Sequence, residues 1–153
     1  VVVPDADHRL VWQFDANRDG QLDPDRTVPF GSVPDVPVAA DIDGDGTAEI
    51  GYVRRFQNHL LNSEWHFRDP HLPDDKILRF AVGIDTPVVG DWDGDGKQEA
   101  GAFRNHPAHT VEWLLNLDAD ALSEQEHEFG RLGDIPVVLE TRDLRARTSA
   151  TPE

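Results

Sequence analysis

The chain has 153 residues, enough for one domain of ordinary size or for a few small repeat units. Its 30 acidic and 14 basic side chains give a net charge of −16, which argues against nucleic acid and anionic membrane surfaces as main partners. There is no cysteine, so disulfides and cysteine metal sites are excluded, and no apolar run is long enough for a transmembrane helix.

Short predicted strands follow one another along the chain. The first is Val1–Val3, and later ones include the segments 11–14, 49–55 and 99–104. They are rich in β-branched and aromatic residues and are bounded by Gly, Pro, Asn and Asp, which is typical of strands. No helical periodicity is sustained. The stretch 118–127 fits a turn of helix, but the spacing of its acidic residues favours a loop.

Three landmarks repeat in the same order about 50 residues apart. Each copy has a Trp, then a Phe, then the motif Asp-x-Pro-Val, in which Pro enters a predicted strand. The three sets are Trp12–Phe30–Asp35, Trp65–Phe80–Asp85 and Trp113–Phe129–Asp134. We expect the recurring Trp side chains to pack in the core between units.

Four predicted strands per unit and a period near 50 residues are typical of a β-propeller blade. We therefore predict an all-β fold of three four-stranded, propeller-like repeat units, arranged as a partial propeller or an open solenoid. The predicted units are residues 1–41, 42–91 and 92–140, followed by a polar tail over residues 141–153. Because propellers close with four to eight blades, three units leave faces that another copy or a neighbouring repeat would cover.

Two loops have the spacing Asp-x-Asp-x-Asp-Gly-x-x-Glu. Calcium takes six to eight oxygen ligands, and such a loop can supply them from one short segment, with Gly permitting the sharp turn. In the first loop the predicted ligands are the side chains of Asp41, Asp43, Asp45 and Glu49 and the carbonyl of Thr47. In the second they are the side chains of Asp91, Asp93, Asp95 and Glu99 and the carbonyl of Lys97.

Other metal sites fit these two loops less well. Zinc would require His or Cys, which the loops lack, and magnesium would demand a tighter octahedron with more waters. An EF-hand would need Glu at position 12 between flanking helices, but Tyr52 and Ala102 stand there and the flanks are strand-like. The remaining alternative is a solvated acidic turn, since Asp-Gly pairs are common in hairpins without metal.

A second type of acidic loop follows the Trp strand. In unit 1 the predicted ligands are Asp15, Asn17, Asp19, Asp23 and the carbonyl of Gln21. In unit 3 they are Asn116, Asp118, Asp120, Glu124 and the carbonyl of Leu122, and this site is weaker because Ala121 replaces Gly. In unit 2 the corresponding segment, 68–72, has lost the pattern.

Electrostatics favours a bound cation in these loops. Carboxylates a few ångströms apart repel by about 1 kcal/mol per pair even in water, and a divalent ion turns that repulsion into attraction. Extracellular modules bind calcium at roughly 10⁻⁴–10⁻³ M, a range that suits extracellular calcium rather than resting cytosolic levels. We therefore predict an extracellular location, either secreted or at the cell surface.

The chain resembles the FG-GAP/VCBS repeat family in the pair Phe30-Gly31 and in the segments 90–96 and 101–104. The resemblance covers roughly residues 1–140. It implies a secreted or cell-surface protein with propeller-like blades and calcium in the loops between strands. Integrin α-subunit heads are eukaryotic relatives of that family, and bacterial members are long secreted repeat proteins. The chain departs from the family pattern in having only three units.

The predicted function is an extracellular, calcium-binding structural repeat module for adhesion or self-assembly, including filament formation. The expected partners are calcium, another copy or a neighbouring repeat, and an extracellular protein or glycan. The alternative is a calcium-dependent, lectin-like module in which the recurring Trp residues stack on sugars. No nucleophile elbow, Cys/His pair or phosphate-binding Gly loop is present, so an enzyme is not predicted. Arg54, Arg55 and Arg104 are expected to pair with acidic loops of a neighbouring unit.

Overall fold

The structure is a computed structural model that describes residues 1–57, 61–68, 75–105 and 110–139. The polar tail 141–153 and most of the segment 68–72 lie outside the described residues. The described residues form no helix and contain three antiparallel sheets, so the predicted all-β fold is confirmed. Residues 117–122 form bends, as predicted for a loop, and the last described strand begins at residue 125. No helix long and apolar enough to cross a membrane is found in this part of the chain.

Each sheet is formed by strands that follow one another in the sequence. The first sheet has the order β1-β2-β3, with β1 at Val2–Pro4, β2 at Arg9–Gln13 and β3 at Thr27–Ser32. The second has the order β4-β5-β6-β7, with β4 at Val36–Ala40, β5 at Glu49–Arg54, β6 at Asn62–Phe67 and β7 at Lys76–Val82. The third has the order β11-β10-β9-β8, with β8 at Thr86–Gly90, β9 at Glu99–Asn105, β10 at Val111–Leu115 and β11 at Gln125–Glu128.

The strand containing the Asp-x-Pro-Val motif begins a sheet. Val38 pairs with Gly51 and Val88 with Gly101, so this strand pairs with the strand that follows it. The predicted units place it last and are therefore offset from the sheets by one strand. The first sheet consequently has three described strands, where four were predicted for each unit. Both β4 and β8 are edge strands, where the N–H that Pro lacks need not interrupt the ladder.

The hydrophobic core lies between the second and third sheets. Val53, Trp65 and Phe80 of the second sheet pack against Ala100, Ala102 and Leu114 of the third, and all six are buried. Small alanines on one face let the bulky side chains of the other face approach closely, as dense packing requires. The edge strands β4 and β8 also contact each other. The first and second sheets meet where the rings of Phe30 and Tyr52 pack edge to face, 4.9 Å apart.

A repeated hydrogen bond anchors the Trp of every sheet. The indole N–H of each Trp donates to the carbonyl of the Phe landmark at 3.0–3.1 Å, in the pairs Trp12–Phe30, Trp65–Phe80 and Trp113–Phe129. Trp12 and Trp65 are buried, which confirms the predicted core role for these two. Trp113 is only partly buried, because no described sheet packs over its face.

Candidate metal sites

The two loops with the Asp-x-Asp-x-Asp-Gly-x-x-Glu spacing each join the first two strands of a four-stranded sheet. Residues 41–48 connect β4 to β5, and residues 91–98 connect β8 to β9. The second Gly of each loop has a left-handed backbone, with φ of 89° at Gly46 and 103° at Gly96. A side chain would be strained in this region, so glycine permits the turn that brings the acidic residues together.

Asp41 organises the first loop through backbone hydrogen bonds. Its Oδ1 accepts from the N–H of Gly44 at 2.7 Å, and its Oδ2 accepts from the N–H of Gly46 at 2.9 Å. Asp43 and Asp45 each accept from the N–H two residues further along, at 3.0 and 2.7 Å. The backbone therefore holds three carboxylates on the inside of one turn, although they repel one another.

The second loop repeats this arrangement closely. Asp91 accepts from the N–H of Gly94 at 2.7 Å and from that of Gly96 at 3.2 Å. Asp93 and Asp95 accept from the N–H two residues further along, at 2.9 and 2.8 Å. The two loops have the same Asp, Gly and Glu residues at the same positions and differ at the other three, and they fold into one geometry. The shared residues therefore account for the shared loop geometry.

Carboxylate oxygens gather at one point in both loops. In each loop three of them, from three different residues, lie within 4.8 Å of one another. The trios are Asp41–Asp43–Asp45 and Asp91–Asp93–Glu99. Oxygen ligands at 2.3–2.6 Å from a calcium ion are at most about 5 Å apart, so either trio fits within one coordination sphere. The clusters could therefore hold a metal ion.

The Glu that ends each loop is the most perturbed acid of the cluster. Burial is the main cause that raises the pKa of Glu99 to about 7, and repulsion from the three Asp carboxylates adds to it. The backbone N–H of Trp92, which donates to Glu99 Oε2 at 3.1 Å, opposes this rise. Burial likewise raises the pKa of Glu49, whose Oε2 accepts from the N–H of Ile42 at 3.1 Å. A cation beside these groups would favour their ionised forms.

The residues predicted to supply carbonyl ligands lie on the same turns. Thr47, Lys97 and Gln21 each donate a backbone N–H to the Asp two residues earlier, at 2.7, 2.8 and 2.8 Å. These hydrogen bonds fix the turn in which each residue stands. The ligand role of their carbonyl groups stays a prediction.

A contact that the sequence analysis missed joins the first two loops. The side-chain Oε1 of Gln98 accepts from the N–H of Asp41 at 2.9 Å, and the N–H of Gln98 donates to the Asp41 carbonyl at 2.7 Å. The side chain of Lys97 also lies against Gly44. The two loops are therefore in contact, and a change in one can reach the other. The available signal was that Gln98 stands where the first loop has Ala48.

The loop after β10 has the predicted spacing, but it begins with a buried Asn where the first two loops begin with Asp. Asn116 is fully buried, and its Nδ2 donates to the carbonyls of Asp120 at 2.9 Å and Leu122 at 2.7 Å. Its Oδ1 accepts from the N–H of Ala119 at 2.8 Å. The Leu122 carbonyl, a predicted ligand, thus already has a donor. A neutral amide here satisfies carbonyl groups that would otherwise be available to a cation.

The acidic side chains of this third loop nevertheless form an exposed trio. Oxygens of Asp118, Asp120 and Glu124 lie within 4.8 Å of one another, and all three residues are exposed. Glu124 Oε2 also accepts from the N–H of Leu117 at 2.6 Å, the counterpart of the Glu99 contact. The trio could hold an ion on the outside of the loop, whereas the amide of buried Asn116 donates to carbonyl groups.

The loop between β2 and β3 gathers its predicted acidic ligands less tightly. Asp15 accepts from the N–H groups of Asp19 at 3.1 Å and Gly20 at 2.9 Å, and Asp23 accepts from a backbone N–H at 2.8 Å. The amide of Asn17 donates to Asp19 at 3.2 Å. No three acidic side chains of this loop bring oxygens within 4.8 Å of one another. The Asn17 amide thus donates to a carboxylate oxygen that would otherwise be available to an ion.

Two arginines bind aspartates outside the acidic loops. Arg54 donates to Asp35 at 3.0 and 3.2 Å, and Arg104 donates to Asp85 at 2.8 and 2.9 Å. The expectation that they pair with acidic loops is wrong. Strand register is the reason: Val36 pairs with Val53, which places Arg54 beside the Asp before β4. Arg55 is exposed and has no ion pair within the described ranges.

Trp92 packs within its own sheet. Its ring lies over Gly90 and Gly101, where a Cβ on either glycine would approach the ring to 2.7–2.9 Å. Its indole N–H donates to the Ala100 carbonyl at 3.3 Å. Trp92 thus packs on two glycines, whose lack of side chains leaves space for its ring. These contacts connect loop 91–99 to the third sheet.

Comparison with known proteins gives no relative from which a function could be transferred. No protein-family model, no curated protein and no solved structure matches this chain.

Proposed function

We propose that the chain is an extracellular, calcium-binding structural repeat module of the FG-GAP/VCBS type, built from propeller-like units and used in adhesion or self-assembly. The observation that carries this proposal is the pair of loops 41–49 and 91–99. Both hold three carboxylate oxygens within 4.8 Å of one another, and both use backbone N–H groups to keep them there. This arrangement favours a hard divalent cation with oxygen ligands.

Calcium would act on stability through the strands that the loops connect. Each loop joins the edge strand of a sheet to its neighbour, and the two loops contact each other through Gln98. Binding to the folded state at 10 mM calcium, with a dissociation constant of roughly 10⁻⁴–10⁻³ M, stabilises the fold by about 1.4–2.7 kcal/mol per site. The ion therefore acts as a structural element and not as a catalyst.

Calorimetric titration and thermal unfolding of the full chain test this proposal. We expect calcium to raise the unfolding temperature by about 10 °C relative to EDTA, because two sites together contribute roughly 3–5 kcal/mol. The double variant Asp41→Asn/Asp91→Asn should lose most of this gain. Asp75→Asn, which makes the same type of substitution once at an exposed position outside every acidic loop, serves as the control for each single substitution. An equal calcium response in the wild type and the double variant would refute the proposed sites.

The alternative glycan-binding role has weaker support. Trp12 and Trp65 are 7% and 1% exposed, so neither offers a free ring face to a sugar. Only Trp113 of the recurring set is partly exposed. A calcium-dependent titration with a glycan array, using Trp113→Ala as the variant, distinguishes this role from the structural one.

A further inference from the structure

The second and third sheets differ in how far their Phe landmarks are covered by a neighbouring sheet. Phe80 and Trp65 of the second sheet are 2% and 1% exposed, because the third sheet packs over them. The equivalent Phe129 is 75% exposed, although it has the same hydrogen bond to its Trp. The repeat therefore leaves one interface surface without a partner in the described part of the chain.

An extended segment lies beside this surface. Residues 135–139 begin within the third Asp-x-Pro-Val motif and correspond in sequence to β4 and β8, yet they pair with none of the described strands. Alternate side chains are exposed: Ile135 by 85%, Val137 by 79% and Leu139 by 68%. The intervening Val138 approaches Gly90 of β8, much as β4 contacts β8. The segment thus resembles an edge strand that lacks its neighbour.

The position of Asp134 indicates which side chain the missing neighbouring strand should have. Asp35, Asp85 and Asp134 each accept from the backbone N–H three residues earlier, at 3.0, 2.9 and 2.9 Å. The first two are buried under the bidentate arginines Arg54 and Arg104. Asp134 is exposed, and no arginine among the described residues pairs with it. The carboxylate is held in the geometry that binds arginine elsewhere in the same molecule.

The internal sheets define the register of the missing strand. In both four-stranded sheets a Gly pairs with the third residue after the Asp, as in Val38–Gly51 and Val88–Gly101. A larger apolar residue pairs with the first residue after the Asp, and Arg follows it. Applied to residues 134–139, this register requires a strand of sequence Gly-x-Φ-Arg, where Φ is apolar, with Gly opposite Val137 and Arg at Asp134.

We propose that the face formed by residues 134–139 and Phe129 binds an antiparallel β-strand of a partner polypeptide that has the pattern Gly-x-Φ-Arg. Charge complementarity supports a partner that supplies arginine, since the chain has a net charge of −16 and Asp134 is already oriented. A second copy of this chain fits poorly. Its β1 is equivalent to β5, since Val2 pairs with Trp12 as Val53 does with Trp65, and Val3 then stands in the place of Arg54.

The probe is a capped synthetic peptide with the sequence of residues 98–105, the strand that occupies the equivalent face of β8. Binding to the full, isotopically labelled chain is followed through the amide resonances of residue 135 and residues 137–139, since Pro136 has no N–H. We expect shifts at these amides. Affinity should fall roughly tenfold with the variant Asp134→Asn or with a peptide in which Gln replaces Arg, because a charge-assisted bidentate pair is lost. Asp134→Asn keeps an acceptor for Arg131, and Asp75→Asn is the matched control that should bind normally.

Two results would overturn this proposal directly: no shift at residues 135–139, or equal affinity for the Arg and Gln peptides. Self-association of the chain that the peptide cannot displace, measured by sedimentation, would assign the face to a second copy instead. Binding that emerges only in the variant Arg142→Gln/Arg145→Gln/Arg147→Gln would assign it to residues 141–153 and would also overturn the partner proposal. Peptide binding that is unchanged in this variant supports it.

Discussion

Loops 91–99 and 116–124 share the same spacing of oxygen-bearing side chains, but the residue that begins each loop makes opposite hydrogen bonds. In the first, Asp91 accepts from two backbone N–H groups and leaves the loop with a cluster of negative charges. In the second, buried Asn116 donates to two carbonyls, and the trio Asp118–Asp120–Glu124 lies exposed. The group that differs between Asp and Asn decides whether the first residue of the loop adds a negative charge or donates to carbonyl groups. Spacing alone therefore does not define a cation site.

The largest effect should come from Asn116→Asp, which converts the second type of loop into the first. Without calcium, the variant should lose about 3 kcal/mol of unfolding free energy, because two hydrogen bonds are lost and a carboxylate is buried against carbonyl oxygens. Calcium should recover a large part of this loss. Chemical denaturation with EDTA and with calcium measures both quantities. A loss that calcium cannot reduce would show that this loop cannot be made cation-dependent.

The reverse change, Asp91→Asn, should have a smaller effect. It should remove about 2 kcal/mol of calcium-dependent stability, the contribution of one site, and lower the calcium stoichiometry by one. In EDTA it should change stability less, because the loss of one acceptor for the N–H groups of Gly94 and Gly96 is partly offset by the removal of a repelling carboxylate. Calorimetric titration gives the stoichiometry, and Asp75→Asn provides the comparison. An unchanged stoichiometry would contradict the assignment of this loop.

Gln98→Ala should separate the two contacting loops. Loss of the side-chain acceptor leaves the Asp41 N–H without its partner and should cost about 1 kcal/mol. Because the hydrogen bond joins different loops, the variant should also weaken calcium binding to loop 41–49. The matched control is Ala48→Gln, which adds the same side chain at the equivalent, exposed position of the first loop. A titration in which only loop 91–99 is affected would show that the contact carries no coupling.

The last prediction concerns the pH dependence of stability. The pKa of Glu99 is raised to about 7 in the fold, so the folded state binds the proton more tightly than the unfolded chain does. In EDTA, stability should therefore fall as pH rises from about 4.5 to about 7 and then level off. Glu99→Gln should flatten this dependence, and calcium should reduce it by favouring the ionised form. Unfolding temperatures measured across this pH range check the prediction. A wild-type slope that persists unchanged in the variant would assign it to other groups.

The repeat, the all-β class and the acidic loops could be predicted from the sequence because they depend on residues close together in the chain. Alternation of apolar residues, turn residues and the spacing of Asp and Gly all act over fewer than about ten positions. The same locality explains the error in the strand order of the units. Val38 could pair with the strand before it or with the strand after it. Its pairing with Gly51 of the following strand depends on that partner and not on the residues next to Val38.

The amino-acid sequence by itself determined which residues can turn, which can form strands and which can offer oxygen to a cation. Only the tertiary structure decided that Gln98 reaches Asp41, 57 residues away, and that Arg54 reaches Asp35. It also decided that Asn116 turns its amide inward and that Phe129 is uncovered. The physical reason is that hydrogen bonds and burial depend on distance in space. Sheet register brings together side chains whose separation along the chain contains no local signal of their contact.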